Sequence, residues 1–278
     1  MKRRAEGRVV KRQAWALLML GVAAGFAAPA WAEDAVPAVA APIPDRMVEA
    51  DRLLEKGLAS YRALEGYQAR MREETKEDGH LKTTEMFLRR DKNPDTVLLK
   101  YTDGPQATLQ VLYSKGHFDD KLMTRPPGLF FEFIPIIAMS PDDPRVKNEE
   151  SRPITSAGIG YMIEELAEEW KEAQAKGQAK ALSVMQDQVL ITGPYAEPAT
   201  PTTRLEFRID APGESHPKKV LHFRQSDGLP VQLELYGPHS ETPDETYTYY
   251  AIVTNPAKND PAFLKLVDRR LIELYNKI

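Results

Sequence analysis

Cysteine is absent from this 278-residue chain. Its absence excludes a disulfide framework, thiol catalysis and cysteine-based zinc sites. The five histidines do not take its place. A zinc site needs histidines four residues apart on a helix or a paired knuckle, whereas His216 and His222 flank a turn at Pro217. We therefore expect no metal and no cofactor.

Recognisable catalytic motifs are missing as well. The chain has no nucleophile elbow, no phosphate-binding loop and no dinucleotide fingerprint. Ser215 and Lys218 have the spacing of a serine–x–x–lysine motif, but that chemistry requires a helix start. Pro212, Gly213 and Pro217 instead predict a turn before a strand. The sequence predicts a protein that is not an enzyme and has no catalytic residues.

Long apolar runs are missing except near the N-terminus. Ala14–Ala28 is apolar, six basic residues precede it, and Ala30-Trp31-Ala32 is a small-x-small cleavage site. This pattern predicts a signal peptide, residues 1–32, that is cleaved after Ala32. Residues 33–44 are rich in alanine and proline and read as a flexible arm. Residues 45–278 then form a single domain, which we expect in the periplasm.

Basic charge is scarce in the predicted mature chain. The segment 1–32 holds six of the 37 basic residues but one of the 41 acidic ones, so the remainder has a net charge of −9. Nucleic acid and anionic lipid surfaces repel such a domain. We expect no nucleic-acid partner and no stable membrane insertion after signal cleavage.

The clearest pattern that is present lies between Pro94 and Gly116. Val97, Leu99 and Tyr101 alternate with other residues, Asp103-Gly104-Pro105 forms a turn, and a second alternating run follows. Period-2 alternation around a Gly/Pro turn is typical of an antiparallel hairpin with one buried face. Similar runs before and after it predict an antiparallel sheet that includes most of the domain.

Three amphipathic helices accompany the predicted sheet. The first follows an N-cap at Asp45 and ends near Gly66, the second spans Ile159–Lys176 and includes Trp170, and the third opens at Asp260-Pro261. Each has an apolar stripe at helical spacing that would lie on the sheet.

Strand alternation predicts one apolar inner face of the sheet, whose residues are the candidate ligand-lining set: Met86, Leu88, Leu99, Tyr101, Leu109, Val111, Leu205, Phe207, Leu221, Phe223, Leu233 and Leu235. Incomplete coverage by the helices would leave a groove for acyl chains or another apolar ligand. Complete coverage would make the same residues an ordinary core. The sequence alone favours the core.

A candidate lid lies between Pro126 and Pro144. It concentrates seven large apolar residues around Pro135, a proline that disfavours a continuous helix or central strand. The seven are Phe130, Phe131, Phe133, Ile134, Ile136, Ile137 and Met139. The run is compatible with an irregular segment buried against the sheet, a lid over an apolar cavity, or a contact with a membrane or partner.

The order of a helix, an Asp-Gly hairpin, the run PDTVLLKYTDGPQATLQVLYSKG and the run RPITSAGIGYMIEEL resembles the bacterial family catalogued as domain of unknown function 1571, over Met47–Ile278. More distantly, the chain is similar to the LolA lipoprotein carriers. This resemblance implies an α+β fold, an antiparallel open half-barrel sheet with about three helices over its concave face. It also implies a non-catalytic periplasmic carrier whose partner is a lipid or a lipoprotein acyl chain. The alternative is an envelope protein-interaction or stress-sensing module that uses the same fold with a closed core.

Overall fold

A single antiparallel sheet with helices on both of its faces forms the protein in this computed structural model. The structure describes residues 43–77, 79–104, 106–127, 135–143, 155, 157–192 and 195–278. The described residues belong to one compact unit. The predicted signal peptide and most of the predicted arm lie outside them, so both stay predictions. No helix in the described ranges has the length and apolar character needed to span a membrane.

The sheet has eleven strands in the order β6-β5-β4-β3-β2-β1-β11-β10-β9-β8-β7. Two meanders therefore meet where β1 pairs with β11. Within the described residues, β6 and β7 each pair on one side, so the sheet is open. The strands are β1 Gly66–Glu77, β2 His80–Lys92, β3 Asp95–Tyr101, β4 Gln110–Ser114, β5 Leu122–Arg125, β6 Ile137–Met139, β7 Ala179–Ile191, β8 Glu197–Ile209, β9 Lys218–Arg224, β10 Pro230–Tyr236 and β11 Glu245–Thr254.

The hairpin predicted at Pro94–Gly116 is confirmed as β3 and β4. Leu99 pairs with Val111, and Gly104 takes a left-handed φ of +71° in the turn, a conformation that glycine adopts without a steric penalty. Leu109 lies before β4 and is only half-buried. The prediction that Leu109 lies within a strand is therefore wrong, because β4 begins one residue later, at Gln110.

Two helices cover the inner face, which is the side of the sheet that bears Leu88, Leu99 and Leu233. These helices are α1, Ile43–Arg62, and α2, Ile159–Ala175. Helix α1 extends across the sheet from β7 to β2. At the β7 end, Arg46 Nη1 donates a hydrogen bond to Leu182 O over 2.7 Å. Since α1 begins at Ile43, Asp45 lies in its first turn rather than at the predicted N-cap.

The C-terminal helices lie on the opposite, outer face. They are α3, Pro261–Leu266, and α4, Arg269–Tyr275, capped by Asp260 and Asp268. Their buried side chains form a second cluster with outward-facing residues of β2–β4: Phe87, Leu98, Leu112, Phe263, Val267, Leu271 and Tyr275. The prediction that a single C-terminal helix joins the other two over one face is wrong. The central strands are apolar on both faces, so both need a cover.

Arg89 fixes the C-terminal helices to the sheet. Its side chain is 2% exposed, its guanidinium lies 4.6 Å from the centroid of the Phe263 ring, and Nη1 donates to Ala257 O over 3.1 Å. Asp91 completes the contact by accepting from Arg89 and from the Tyr275 hydroxyl. A charge this deeply buried is tolerated because carbonyls, a carboxylate and aromatic faces surround it.

Candidate ligand-binding site

Most of the predicted ligand-lining residues lie together in the main core. Ten of the twelve are at most 4% exposed, namely Met86, Leu88, Leu99, Val111, Leu205, Phe207, Leu221, Phe223, Leu233 and Leu235. Nine of these ten belong to the main core cluster, and Val111 is the exception. Tyr101 is partly buried against the same core, whereas the half-buried Leu109 is not part of it. Sequence alternation therefore selected the correct face of the sheet, and the lining role itself stays a prediction.

Helix α1 reaches this face without a gap at its centre. A Cβ atom on Gly57 would lie 2.5 Å from Cε1 of Phe223, so the helix backbone rests directly on that ring. Leu53, Leu54 and Leu58 of α1 are buried in the same cluster. At these positions α1 and the sheet therefore pack directly against each other.

Helices α1 and α2 are joined to each other as one cover. Asp51 of α1 accepts hydrogen bonds from Trp170 Nε1 at 2.7 Å and from Gln174 Nε2 at 2.8 Å, both on α2. Gly160 lies against the Tyr61 ring, where any larger residue would clash. The contact is polar at one point and closely packed at another, so we expect the two helices to move together rather than separately.

The first turn of α2 is anchored to β1. The backbone N–H of Ile159 donates to the Tyr67 hydroxyl over 2.7 Å, and Tyr67 is fully buried. Burial raises the pKa of Tyr67 well above its usual value, and the neighbouring Tyr249 and Tyr61 add to the rise. The hydroxyl therefore stays protonated and neutral, and accepts this hydrogen bond at every physiological pH.

A cleft of about 240 Å³ opens at one rim of the inner face. It lies between the middle of α1, the middle of β7 and β8, and the C-terminal end of β9. Its lining residues are Arg52, Leu53, Lys56, Gln186, Thr203, Phe223, Arg224, Gln225 and Gly228. Leu53 and Phe223 are core residues, 4% and 2% exposed, and the others are polar apart from Gly228. We call this the rim cleft.

Salt bridges neutralise two of the three cations at the rim cleft. Arg52 Nε donates to Glu49 over 2.7 Å, and Arg224 Nε donates to Asp227 over 3.0 Å. Burial opposes ionisation of Asp227, but hydrogen bonds from Arg224 and from the backbone outweigh it and hold the pKa of that carboxyl below its usual value. Asp227 is therefore ionised at neutral pH and compensates Arg224.

A second cleft, of about 410 Å³, lies beside residues 249–253 of β11. Glu197 at its edge accepts a hydrogen bond from the backbone N–H of Ala251 over 3.2 Å. None of the predicted ligand-lining residues borders this cleft. The rim cleft is therefore the better candidate, since it reaches the apolar face that the sequence selected.

The candidate lid is described only in part. Phe130, Phe131, Phe133 and Ile134 lie outside the described residues. Ile137 and Met139 belong to the edge strand β6, where Ile137 is 37% exposed, and Ile136 packs against the outer-face cluster. The lid role stays a prediction.

Candidate metal-binding residues are not grouped in the part of the chain that the structure describes. No set of three or more histidine, aspartate or glutamate residues there is arranged to hold a metal ion. His222 is buried on the outer face, with Nδ1 3.3 Å from Thr202 Oγ1 and Nε2 3.5 Å from Glu234 Oε1. Thr202 is thus the hydrogen-bonding partner of Nδ1, whereas the buried Nε2 has only the longer approach to Glu234 and makes no hydrogen bond.

Apart from Phe223, the residues of the rim cleft were not predicted from the sequence. Arg52 and Lys56 are one helical turn apart on α1, a spacing that any exposed helix face can have. Gln186 on β7 and Gln225 in the turn after β9 both follow Lys56 by more than a hundred residues in the chain. No sequence spacing connects these positions, because long-range strand order brings them together.

A family model described as "Protein of unknown function (DUF1571)" matches residues 64–266. The chain belongs to the DUF1571 family. The predicted membership is thus confirmed, and it includes every strand of the sheet. No curated protein matches the chain.

Several solved structures are similar to this DUF1571 protein at low identity. MucB, which is also solved with MucA from Pseudomonas aeruginosa, is 15% identical with a TM-score of 0.42. That match covers 80% of this chain and 63% of the MucB chain, so the chain spans less than two thirds of MucB. Lipoprotein LppX from Mycobacterium tuberculosis is 13% identical with a TM-score of 0.39, covering 76% of this chain and 96% of LppX. A LolA superfamily protein from Nitrosomonas europaea is 11% identical with a TM-score of 0.31, covering 80% and 98%.

Proposed function

We propose that this DUF1571 protein is a non-catalytic periplasmic carrier of a hydrophobic ligand, a lipid or a lipoprotein acyl chain. The observation behind the proposal is the rim cleft, whose floor is formed by Leu53 and Phe223, two buried residues of the apolar inner face. An apolar floor beneath a polar mouth is the usual form of a site for a ligand with a hydrophobic part.

The size of the rim cleft sets how such a ligand would enter. Its volume of about 240 Å³ is below the roughly 300–1,000 Å³ of ordinary small-molecule sites. A long acyl chain therefore needs α1 to move away from Phe223, and α2 would follow because Asp51 joins the two helices. The buried inner face is then the surface that an acyl chain would cover.

Thermal melting with a neutral single-chain lipid tests this function. Monopalmitoylglycerol, below its critical micelle concentration, should raise the melting temperature of the mature chain. A ligand at a hundred times its Kd adds about 2.7 kcal/mol to the folded state. Phe223→Ala should reduce the lipid-dependent rise. Leu271 is similarly buried but lies on the outer face, so Leu271→Ala should lower the melting temperature without reducing the lipid-dependent rise. Absence of any lipid-dependent rise in the wild type would refute the carrier.

A second candidate is a protein-interaction module with a permanently closed core. The observation that favours it is the near-complete burial of the inner face, with Leu88, Leu221 and Leu233 at 0% exposure. This candidate predicts no lipid stabilisation. Native mass spectrometry of protein purified from periplasm separates the two, since a co-purifying lipid mass supports the carrier and a stoichiometric protein partner supports the module.

A further inference from the structure

The polar wall of the rim cleft has an unbalanced positive charge. Arg52 and Lys56 face it from adjacent turns of α1, and Arg224 faces it from the end of β9. Glu49 and Asp227 compensate the two arginines. Among the described residues, Lys56 has no hydrogen-bond or salt-bridge partner, so one uncompensated cation borders the cleft.

The Lys56 side chain is held at the cleft by its own stem. Gly228, with a φ of +79°, lies so close that a Cβ there would be 2.8 Å from Cε of Lys56. The turn that contains Gly228 is tied to α1, because Ser60 Oγ donates to Asp227 O over 2.7 Å. The methylene groups of Lys56 therefore pack on the turn, while the side chain as a whole stays exposed at the mouth of the cleft.

Neutral hydrogen-bond donors complete the wall. Gln225 Nε2 donates to Thr202 O over 3.0 Å and also to the side-chain oxygen of Gln186. Because the Gln186 oxygen is occupied as an acceptor, its amide nitrogen is left as a donor beside the cleft. The Thr203 hydroxyl lies in the same wall. An ammonium, an amide nitrogen and a hydroxyl together suit an acidic group with several acceptor oxygens.

We propose that the rim cleft binds the acidic headgroup of the amphiphile, a phosphate or a carboxylate, with Lys56 as its cation. This inference rests on the proposed carrier function. The headgroup sits at the mouth against Lys56 and Gln186, and the acyl chain leads inward over Leu53 and Phe223. The ligand class is thereby narrowed from lipids in general to single-chain or multi-chain lipids with an anionic headgroup.

Isothermal titration of the mature chain with matched lipids tests the inference. Palmitoyl lysophosphatidic acid should bind about tenfold more tightly than monopalmitoylglycerol, the gain expected of a charge-assisted contact at a partly exposed site. The preference should shrink as NaCl is raised, because salt screens exposed charges. Lys56→Met keeps the methylene packing on Gly228 and should abolish the preference for the anionic lipid. Lys56→Arg should retain most of it.

Lys171→Met is the matched control, since Lys171 is an exposed lysine of α2 that does not line the cleft. It should leave both affinities unchanged. Equal affinities for the two lipids, with no effect of Lys56→Met, would overturn the headgroup site and leave the carrier standing. Binding of inorganic phosphate at Lys56 with no contribution from the acyl chain would assign the cleft to a free anion and overturn the lipid assignment. Failure of both lipids to bind would refute the carrier itself.

Discussion

Weakening the contact between α1 and α2 should have opposite effects on stability and on lipid binding. Asp51 is the perturbation of choice, because it accepts hydrogen bonds from both Trp170 and Gln174 at 2.7 and 2.8 Å. Hydrogen bonds to a charged acceptor stabilise a fold by about 1.5–3 kcal/mol. Replacing aspartate by alanine within a helix returns up to about 0.7 kcal/mol through helix propensity. The net loss of unfolding free energy in Asp51→Ala is therefore about 1–2 kcal/mol.

The same change should increase lipid affinity if the cover must open for binding. A ligand that binds only the open form gains affinity in proportion to the open population. A destabilisation of the closed cover by about 1–2 kcal/mol raises that population, and hence the affinity, by up to about 5–30-fold. Urea denaturation measures the stability change, and isothermal titration with palmitoyl lysophosphatidic acid measures the affinity change in the same variant.

Two variants make the Asp51 experiment decisive. Asp51→Asn keeps a side-chain oxygen acceptor and should lie close to the wild type in both measurements. Leu271→Ala removes packing on the outer face and should lose stability without gaining affinity. If Asp51→Ala loses stability and also binds lipid no better than Leu271→Ala does, the helices do not act as a cover and the entry route is wrong.

Three further predictions concern the core. Leu233 is fully buried, so Leu233→Ala should lower the free energy of unfolding, measured by urea denaturation, by about 2–5 kcal/mol. Leu109 is only half-buried, so Leu109→Ala should lower it clearly less. Equal decreases in the two variants would contradict the assignment of Leu233 to the core. Trp170 is 1% exposed and packs edge-on against the Phe207 ring. Its fluorescence emission should therefore be blue-shifted in the folded mature protein and should move to longer wavelength on unfolding. Emission like that of free tryptophan in the folded protein would contradict the position of α2 over the inner face. Burial and the neighbouring Glu73 raise the pKa of Tyr101 to about 12, above its unfolded value of about 10. The stability that the neutral Tyr101 hydroxyl contributes should therefore be complete below pH 10 and be lost as pH rises towards 12. The unfolding free energy of the wild type should fall more steeply over this range than that of Tyr101→Phe. A parallel fall in the two proteins would contradict the raised pKa.

Local pattern in the sequence determined the elements of this fold. Alternation through Val97, Leu99 and Tyr101 predicted the β3–β4 hairpin, because side chains of a strand project to opposite faces at every second residue. The apolar spacing around Trp170 predicted α2 to within one residue of its end, and Asp260-Pro261 predicted the start of α3. These signals depend only on neighbours a few positions away, so a single sequence contains them.

Only the tertiary structure decided which helices cover which face. Val97, Leu98 and Leu99 are each 1% exposed, so the central strand is apolar on both sides. The period-2 alternation of the strand predicts that Leu98 and Leu99 point to opposite faces of the sheet. It does not predict which helix covers each face. The C-terminal helices took the outer face, and a prediction from one strand period had no means to place them there.

The rim cleft also exists only in the folded chain. Lys56 on α1, Gln186 on β7 and Gln225 after β9 come together because α1 crosses the strands at that end of the sheet. Closure of the inner face likewise depends on Gly57 resting on Phe223, a contact between positions 166 residues apart in the sequence. Sequence periodicity specifies the face that each side chain takes within its own element, whereas packing between distant elements fixes whether that face is filled and where it meets water.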